Sequence, residues 1–378
     1  MSSTAPSAVD SYWTSELIAR FNLQYGVHDQ ALSYHYPRAS LLAHGYHPPG
    51  GYVKDFCILA HDGRWHVFHI DGRPGEVCWI TGNEISFGHA STDDFQHWFR
   101  HPMPLAVGDS PLDNQHLWAP FVYPHNGRFT MFYMGSGNGG TAIACAVSQD
   151  LERWRKTGPI NGAEGRDPFV FRLGDEHILI YTGHQAVAGK EPLKACRSRD
   201  LAQWETLPDV FLSSLGSPES PSIHPFGDGR HVLWFNDWGG SNAQHPRAFR
   251  ACYAFSDQPL DFRDCTPTTF SFIKGLDEVP VDDEWNDHHR TFDQPPTSLE
   301  LVTAGRSGIW LVSYFRVVGN GFRLFFGELD WNVTPATIRE ISTADHLARV
   351  LALVGRVPLP AETPPQDSAF FRSDLPSA

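Results

Sequence analysis

Three acidic residues stand at the start of three separate apolar segments of the sequence. Asp55 opens "DFCILA", Asp167 opens "DPFVF" and Glu219 opens "ESPSIH". Glu219 lies between Pro218 and Pro221, and proline stiffens the chain and removes a backbone donor. If the fold brings these carboxylates together, their like charges raise at least one pKa. A protonated carboxylic acid beside an ionised carboxylate is the pair that cleaves a glycosidic bond.

The segments that contain these carboxylates belong to a unit that recurs five times. Each unit has an apolar segment, a turn with glycine, and a run rich in β-branched and aromatic residues, which is typical of paired strands. The turns with their second strands are "HDGRWHVFHI" (61–70), "HNGRFTMFYM" (125–134), "LGDEHILIYT" (173–182), "GDGRHVLWFN" (227–236) and "GRSGIWLVSYF" (305–315). The repeat predicts an all-β fold, a five-bladed β-propeller in which the first strand of each blade lines a central funnel.

A second motif follows in three units: an Asp, then Leu or Phe, two further residues and a Trp. The three copies are Asp94–Trp98, Asp150–Trp154 and Asp200–Trp204. We interpret each as a turn before the outermost strand, with the Asp capping the turn and the Trp packed between blades.

The two ends of the chain differ from the repeat. Residues 11–26 and 342–356 have helical spacing, and the second segment begins at a Ser/Thr cap with Asp345 in its first turn. The final residues are rich in proline and are expected to be extended. We therefore predict an N-terminal extension with a short helix over 1–48, a propeller over 49–335, and a C-terminal helix and tail over 336–378.

Composition argues against several kinds of partner. The chain has 378 residues and a formal net charge of −14, which disfavours nucleic acid and anionic membrane surfaces as partners. We find neither an apolar run long enough to span a membrane nor a secretory signal. The six cysteines are scattered without a close CxxC pair, so we expect free thiols and a cytoplasmic protein.

The ordered motifs resemble those of the five-bladed propeller glycosidases, the group of glycoside hydrolase families 32, 43, 62, 68 and 117. Members share an early Asp in blade one, an Asp-Pro in blade three and a Glu-x-Pro in blade four. Here "KDFCIL", "RDPFVF" and "ESPSIH" stand in that order, and "WAP" at 118–120 also matches. Blade one lacks the Asn-Asp-Pro of family 32 and the Asp-Pro of family 43. The motifs, closest to families 43, 32 and 117, therefore do not select one family.

The resemblance implies a role for each carboxylate. Asp55 would be the catalytic base or the nucleophile, Asp167 would stabilise the transition state or orient the acid, and Glu219 would be the general acid. Arg166 would bind a sugar hydroxyl. Members of family 117 dimerise through an N-terminal helical extension, so residues 1–48 are a candidate homodimer interface.

Other candidate residues have two interpretations of similar weight. Trp118 of blade two and Asp293 of blade five contact sugar at the funnel or are structural. His289 stands at the entrance of blade five. His89, one strand out from the axis, reaches the sugar or is a packed, hydrogen-bonded histidine. The acidic run 277–289 matches no metal-ligand spacing and is interpreted as a solvated loop, so no metal is predicted.

Each carboxylate also has a purely structural interpretation. Asp55 and Asp167 can be turn residues, and Glu219 can pair with Arg230. One active site explains the three equivalent positions more simply. We predict a glycosidase that acts on a small carbohydrate, an arabinofuranoside or fructofuranoside, with inversion favoured and no cofactor. The alternatives are a tailoring enzyme, a transferase or phosphorylase on the same propeller, and a non-catalytic sugar-binding propeller.

Overall fold

The predicted five-bladed β-propeller is confirmed. The structure, a computed structural model, describes residues 32–35, 42, 45–48, 50–76, 78–108, 110–184, 190–213, 216–238, 249–274, 296–318 and 321–355. In these ranges the strands form five separate sheets of four or five strands each. The helix predicted over 11–26 and the proline-rich tail lie outside the described residues.

The blades follow the order of the chain. In each blade four strands run from the inner to the outer side, and in blades one and five an earlier strand, β1 or β19, is added at the outer edge. Blade one contains β1 (Leu32–His35), β2 (Tyr52–His61), β3 (Arg64–Gly72), β4 (Ser86–Thr92) and β5 (His97–Arg100). Blade two contains β6 (His116–His125), β7 (Arg128–Gly137), β8 (Gly140–Ser148) and β9 (Arg155–Pro159). Blade three contains β10 (Gly165–Leu173), β11 (Glu176–Gly183), β12 (Pro192–Ser198), β13 (Glu205–Thr206) and β14 (Phe211–Leu212).

The last two blades complete the ring. Blade four contains β15 (Ser217–Pro225), β16 (His231–Trp238), β17 (Phe249–Ser256) and β18 (Thr268–Thr269). Blade five contains β19 (Ser271–Ile273), β20 (Thr297–Ala304), β21 (Ile309–Val318), β22 (Gly321–Asp330) and β23 (Thr337–Glu340). β1 pairs with β5, and β23 is the fourth strand of the last meander. The sheets therefore extend beyond the expected boundaries of 49 and 335 on both sides.

The hydrophobic core is divided among the five interfaces between neighbouring blades. The three Trp residues of the second motif contribute as predicted. Trp98, Trp154 and Trp204 each contact a phenylalanine of the preceding blade around the ring, with ring centroids 6.4, 5.7 and 5.9 Å apart. The Asp that opens each motif accepts two backbone N–H bonds of 2.7–3.1 Å. The motif is therefore a structural turn.

Contacts between blade five and the segment before blade one, together with the C-terminal helix, close the ring. Tyr46 and Leu324 exchange backbone hydrogen bonds of 2.8 and 2.9 Å. The predicted C-terminal helix is present as α1 (Ala344–Val354), and its N-cap Thr343 accepts a hydrogen bond from a backbone N–H of the first turn. Leu347 and Val350 bury the apolar side of α1 in the cluster between these two blades. No helix among the described residues has the length and apolarity needed to cross a bilayer.

Every inner strand contains a β-bulge at the same level, and this repeated irregularity positions the site. One residue of each bulge has a positive φ: Asp55 (33°), Ala119 (49°), Asp167 (56°), Ser220 (48°) and Ser298 (48°). The register of each inner strand with its neighbour shifts at this point. Non-glycine residues seldom adopt positive φ, and a bulge re-aims a side chain while bending the strand. All five residues line the central cavity.

Candidate active site

Asp55 and Asp167 line this cavity, and Glu219 of blade four lies beside it, near enough for the three carboxylates to act on one another electrostatically. Asp55 and Asp167 are the bulged residues of blades one and three, and Glu219 directly precedes the bulge of blade four. Ser298 donates a hydrogen bond of 3.1 Å to Asp55 Oδ1, and the backbone N–H of Ser220 donates one of 3.0 Å to Asp167 Oδ2. The hydroxyls of Ser220 and Ser298 lie 2.8 Å apart. One hydrogen-bonded chain therefore joins the two aspartates across the axis.

Arg166 fixes the position of Glu219. Its Nη2 lies 3.2 Å from Glu219 Oε1 and 2.7 Å from Glu191 Oε2, and it also donates to Ser217 Oγ. Ser217 in turn donates a hydrogen bond of 2.6 Å to Glu191. The guanidinium is thus shared between two carboxylates, which leaves Glu219 paired but still one-third exposed at 34% of its side-chain surface.

The structural interpretation of Glu219 as the partner of Arg230 is wrong. Arg230 pairs with Asp228 within its own turn, at 2.6 Å. Glu219 lies at the opposite end of β15, because the bulge between Glu219 and Ser222 holds it at the cavity mouth.

The environment favours the protonated form of two of the three carboxyls. Burial raises the pKa of Asp167, and the negative charge of Glu219 raises it further, against the opposing effect of Arg166. Burial also raises the pKa of Glu219, where Arg166 opposes and Asp55 adds to the increase. Several carboxyl groups in one pocket cannot all ionise without a large cost in electrostatic free energy. The site therefore tends to retain a proton, as a general acid requires.

The opposite wall of the mouth is built around Glu84, a buried residue from the loop between β3 and β4. Glu84 accepts hydrogen bonds from Tyr52 Oη at 2.7 Å, Lys54 Nζ at 3.2 Å and Trp118 Nε1 at 2.5 Å. Lys54 Nζ also lies 3.7 Å from Asp55 Oδ2. Glu84 thus orients the indole of Trp118 and holds the ammonium beside Asp55.

The predicted funnel residues of blades two and five have different outcomes. Trp118 precedes the bulge of blade two, as Glu219 does in blade four, and it remains partly exposed at the mouth. Asp293 and His289 lie outside the described residues. In blade five the bulge places Ser298 at the position that Asp55 and Asp167 occupy in their own blades.

The structure does not place His89 at the sugar site. This residue is 1% exposed and lies between blades one and two, where its ring stacks on Phe68 with centroids 4.1 Å apart. Its side chain projects from the face of the sheet toward the next blade rather than along an inner strand. The packed, hydrogen-bonded interpretation is therefore the correct one.

Two glutamates of the site were missed by the sequence analysis. Glu84 and Glu191 lie in loops or short connections after the second strand of blades one and three. Neither stands in a repeated motif. The two glutamates share one sequence feature: each is an acidic residue that shortly precedes the next strand. Many surface loops have such a residue, so the feature does not identify a site.

Replacing Ser298 with Ala is expected to lower turnover without changing the fold. The substitution removes the donor to Asp55 Oδ1 and breaks the link to Ser220. A hydrogen bond to a charged group contributes about 1.5–3 kcal/mol, so kcat should fall about 10- to 100-fold with a smaller change in KM. The measurement is steady-state kinetics beside thermal denaturation. Ser256→Ala, in an outer turn of blade four, is the control, and a variant with unchanged kcat would contradict the positioning role.

Family comparison agrees with this geometry. The sequence profile of the glycosyl hydrolases family 32 N-terminal domain matches residues 46–273, more than half of the chain. The chain belongs to glycosyl hydrolase family 32. The family 32 segment includes all three carboxylates of the mouth and the repeats of blades one to four. The motifs alone did not select a family, because the Asn-Asp-Pro of blade one is absent.

Curated relatives of this family 32 chain match over part of their length. The sucrose-6-phosphate hydrolase of Escherichia coli is 28% identical over 250 residues, which cover 60% of this chain and 48% of that protein. The sucrose-6-phosphate hydrolase of Zymomonas mobilis is 27% identical over 224 residues, 52% of this chain and 43% of that protein. The chain spans about half the length of the curated relatives it matches.

Solved structures share the fold. The GH32 beta-fructofuranosidase of Bombyx mori superposes with a TM-score of 0.58 at 15% identity, covering 85% of this chain and 68% of that one. The RS223 beta-xylosidase superposes with a TM-score of 0.55 at 18% identity, covering 77% and 95%. At these identities the likeness concerns the propeller alone.

Proposed function

We propose that the protein is a retaining glycoside hydrolase that removes a fructosyl unit from a small β-fructofuranoside. The observation that supports this most strongly is that Asp55 and Asp167 line the central cavity and interact electrostatically with Glu219 beside it, in a chain of family 32. Two carboxyl groups suffice for such cleavage, so the proposed reaction uses no cofactor.

The proposed reaction has two displacement steps. In the first, a carboxylate oxygen of Asp55 attacks the anomeric carbon of the fructosyl unit while Glu219 donates its proton to the departing glycosidic oxygen. In the second, ionised Glu219 takes a proton from water, the water oxygen attacks the same carbon, and the bond to Asp55 breaks. Asp167, adjacent to Arg166, accepts hydrogen bonds from sugar hydroxyls and stabilises the positive charge that develops on the ring.

Retention replaces the inversion favoured by the sequence. That preference rested on the missing Asn-Asp-Pro motif of blade one. Family 32 enzymes retain the anomeric configuration, and we therefore propose Asp55 as the nucleophile rather than as the base. A retaining pair requires carboxyl groups about 5–5.5 Å apart when substrate is bound.

The glycone is proposed from the relatives. Two curated relatives are named sucrose-6-phosphate hydrolases and one solved neighbour a beta-fructofuranosidase. The test is to measure the release of fructose or its phosphate from sucrose and sucrose 6-phosphate. Nitrophenol release from nitrophenyl arabinofuranoside and nitrophenyl xyloside is measured for comparison. One of the two fructosides should exceed both nitrophenyl glycosides in kcat/KM by at least about 100-fold. No turnover of either fructoside would overturn the proposal.

A reducing cellular compartment is part of the proposal. All six cysteines are free thiols, and five of them are buried, as expected in a reducing compartment such as the cytoplasm. A homodimer formed through residues 1–48 stays a prediction, since most of that segment lies outside the described residues.

Two substitutions beside Glu219 should shift the pH profile in opposite directions. Arg166 lowers the pKa of Glu219, and Glu191 raises it. The alkaline limb of kcat/KM reports deprotonation of the general acid. Arg166→Gln should therefore move this limb to higher pH and Glu191→Gln to lower pH, each by about 1 unit. Shifts in the same direction, or none, would exclude Glu219 as the titrating acid.

A further inference from the structure

Three histidines of blade one lie together at the interface with blade two. His66 is on β3, His89 is on β4, and His101 directly follows β5. One ring nitrogen from each histidine lies within 4.8 Å of the corresponding nitrogens of the other two. His66 and His89 are 7% and 1% exposed, and His101 is half-buried. The cluster lies on the second to fourth strands of the blade, apart from the inner strand that bears Asp55.

The spacing of the rings fits a shared metal ion. Nδ1 of His66 and Nε2 of His89 are 2.9 Å apart. The ring centroids of the three pairs are separated by 5.2, 5.6 and 4.1 Å. Three imidazoles bound to one zinc ion at about 2.0–2.1 Å would have centroids about 5 Å apart. Shared binding would therefore require the rings of His89 and His101, which stack with planes 16° apart, to splay.

The three rings are hydrogen-bonded except at one nitrogen: His66 Nδ1 lies 2.9 Å from His89 Nε2, and His101 Nε2 lies 2.8 Å from Ser91 Oγ. Nδ1 of His89 is buried and has no hydrogen-bond partner among the described residues. A buried polar atom without a partner is costly. Neutral imidazole is the form that binds metals.

Blade two supplies a fourth donor. Glu152 belongs to the Asp150–Trp154 turn, and its Oε1 lies 3.7 Å from His101 Nδ1. Half of its side-chain surface is exposed, at 54%, so it can turn toward an ion that enters from this edge. Three imidazoles and one carboxylate form a donor set suited to zinc.

We propose that His66, His89 and His101 bind a zinc ion between blades one and two, with Glu152 as the fourth ligand. With four protein ligands the site is closed, so it stabilises the blade interface and takes no part in hydrolysis. The sequence analysis predicted no metal, because the acidic run 277–289 matches no ligand spacing. It did not consider these three histidines together, since they are far apart in the chain and only the pairing of β3, β4 and β5 brings them close.

The test is zinc binding to the full chain after dialysis against a chelator. Isothermal titration and elemental analysis should give one zinc ion per chain, and zinc should raise the melting temperature. His89→Gln and His101→Gln should each weaken binding at least about 100-fold, and Glu152→Gln about 10-fold. The variant with His288 and His289 replaced by Gln is the matched control, since these adjacent histidines are a second possible binder, and it should bind as wild type does.

A spectroscopic measurement provides a second test if the buried variant His89→Gln fails to fold. Cobalt(II) should give a visible tetrahedral spectrum in wild type and lose it in His101→Gln, which alters only a half-buried residue at the edge. Absence of stoichiometric zinc binding would overturn the proposal. So would undiminished binding in both cluster variants, or loss of binding in the His288 and His289 control.

Discussion

Replacing Glu219 with Gln should lower kcat on a natural fructoside by about 10³-fold, within the range attributed to general acid catalysis. Gln has nearly the same shape but cannot donate a proton to the leaving oxygen. Its effect should depend on the leaving group, because nitrophenolate departs with little acid assistance. Kinetics on sucrose and on a nitrophenyl fructofuranoside, measured side by side, should show a much smaller loss in the first step on the aryl substrate.

The surface variant Glu205→Gln is the control for this experiment. Glu205 is an exposed residue of blade three that pairs with Arg197, so its loss should leave both substrates unaffected. Equal losses on the two substrates in Glu219→Gln would argue that Glu219 binds sugar rather than donates a proton. Unchanged turnover would remove Glu219 from the catalytic site.

Replacing Asp55 with Asn should have the larger effect, a loss of about 10⁴-fold or more on both substrates, as expected when a nucleophile is removed. The backbone should tolerate the change, because Asn adopts positive φ more readily than most residues and Asp55 has a φ of 33°. Azide should restore turnover of the aryl substrate in a smaller variant, Asp55→Gly, and give a fructosyl azide of inverted configuration.

Asp62 provides the matched control for Asp55. It is an exposed aspartate with a φ of 47° in the turn that follows the same strand. Asp62→Asn should retain full activity. A comparable loss in both Asn variants would point to backbone strain rather than to lost nucleophile chemistry. Retained activity in Asp55→Asn would leave the mechanism without its nucleophile.

The sequence predicted the architecture because each blade repeats the same physical pattern. A glycine turn joins two strands, and the Asp-to-Trp turn caps itself and fills the interface, so the repeat is visible without a structure. Asp55, Asp167 and Glu219 were found because each stands at the start of the apolar segment in an inner strand. Their convergence depends on closure of the ring, which the five equivalent positions imply.

Other features depend on contacts that no local pattern encodes. The bulges change the register of every inner strand, and in blade five this places Ser298 at the axis. Glu84 and Glu191 act from loops, and their partners are distant in the chain. His89 could not be assigned from its strand alone, since the face that it occupies is set by pairing with β3 and β5.

The most direct test of the account is capture of the covalent intermediate. Glu219→Gln is mixed with a nitrophenyl fructofuranoside, quenched in acid, and analysed by intact mass and by peptide mapping. The aryl group leaves without a proton donor, and the second step lacks its base, so the fructosyl-enzyme should accumulate. We expect a mass increase of one fructosyl unit, located on Asp55. Release of nitrophenol with no adduct and with inverted product, or an adduct on another residue, would contradict it.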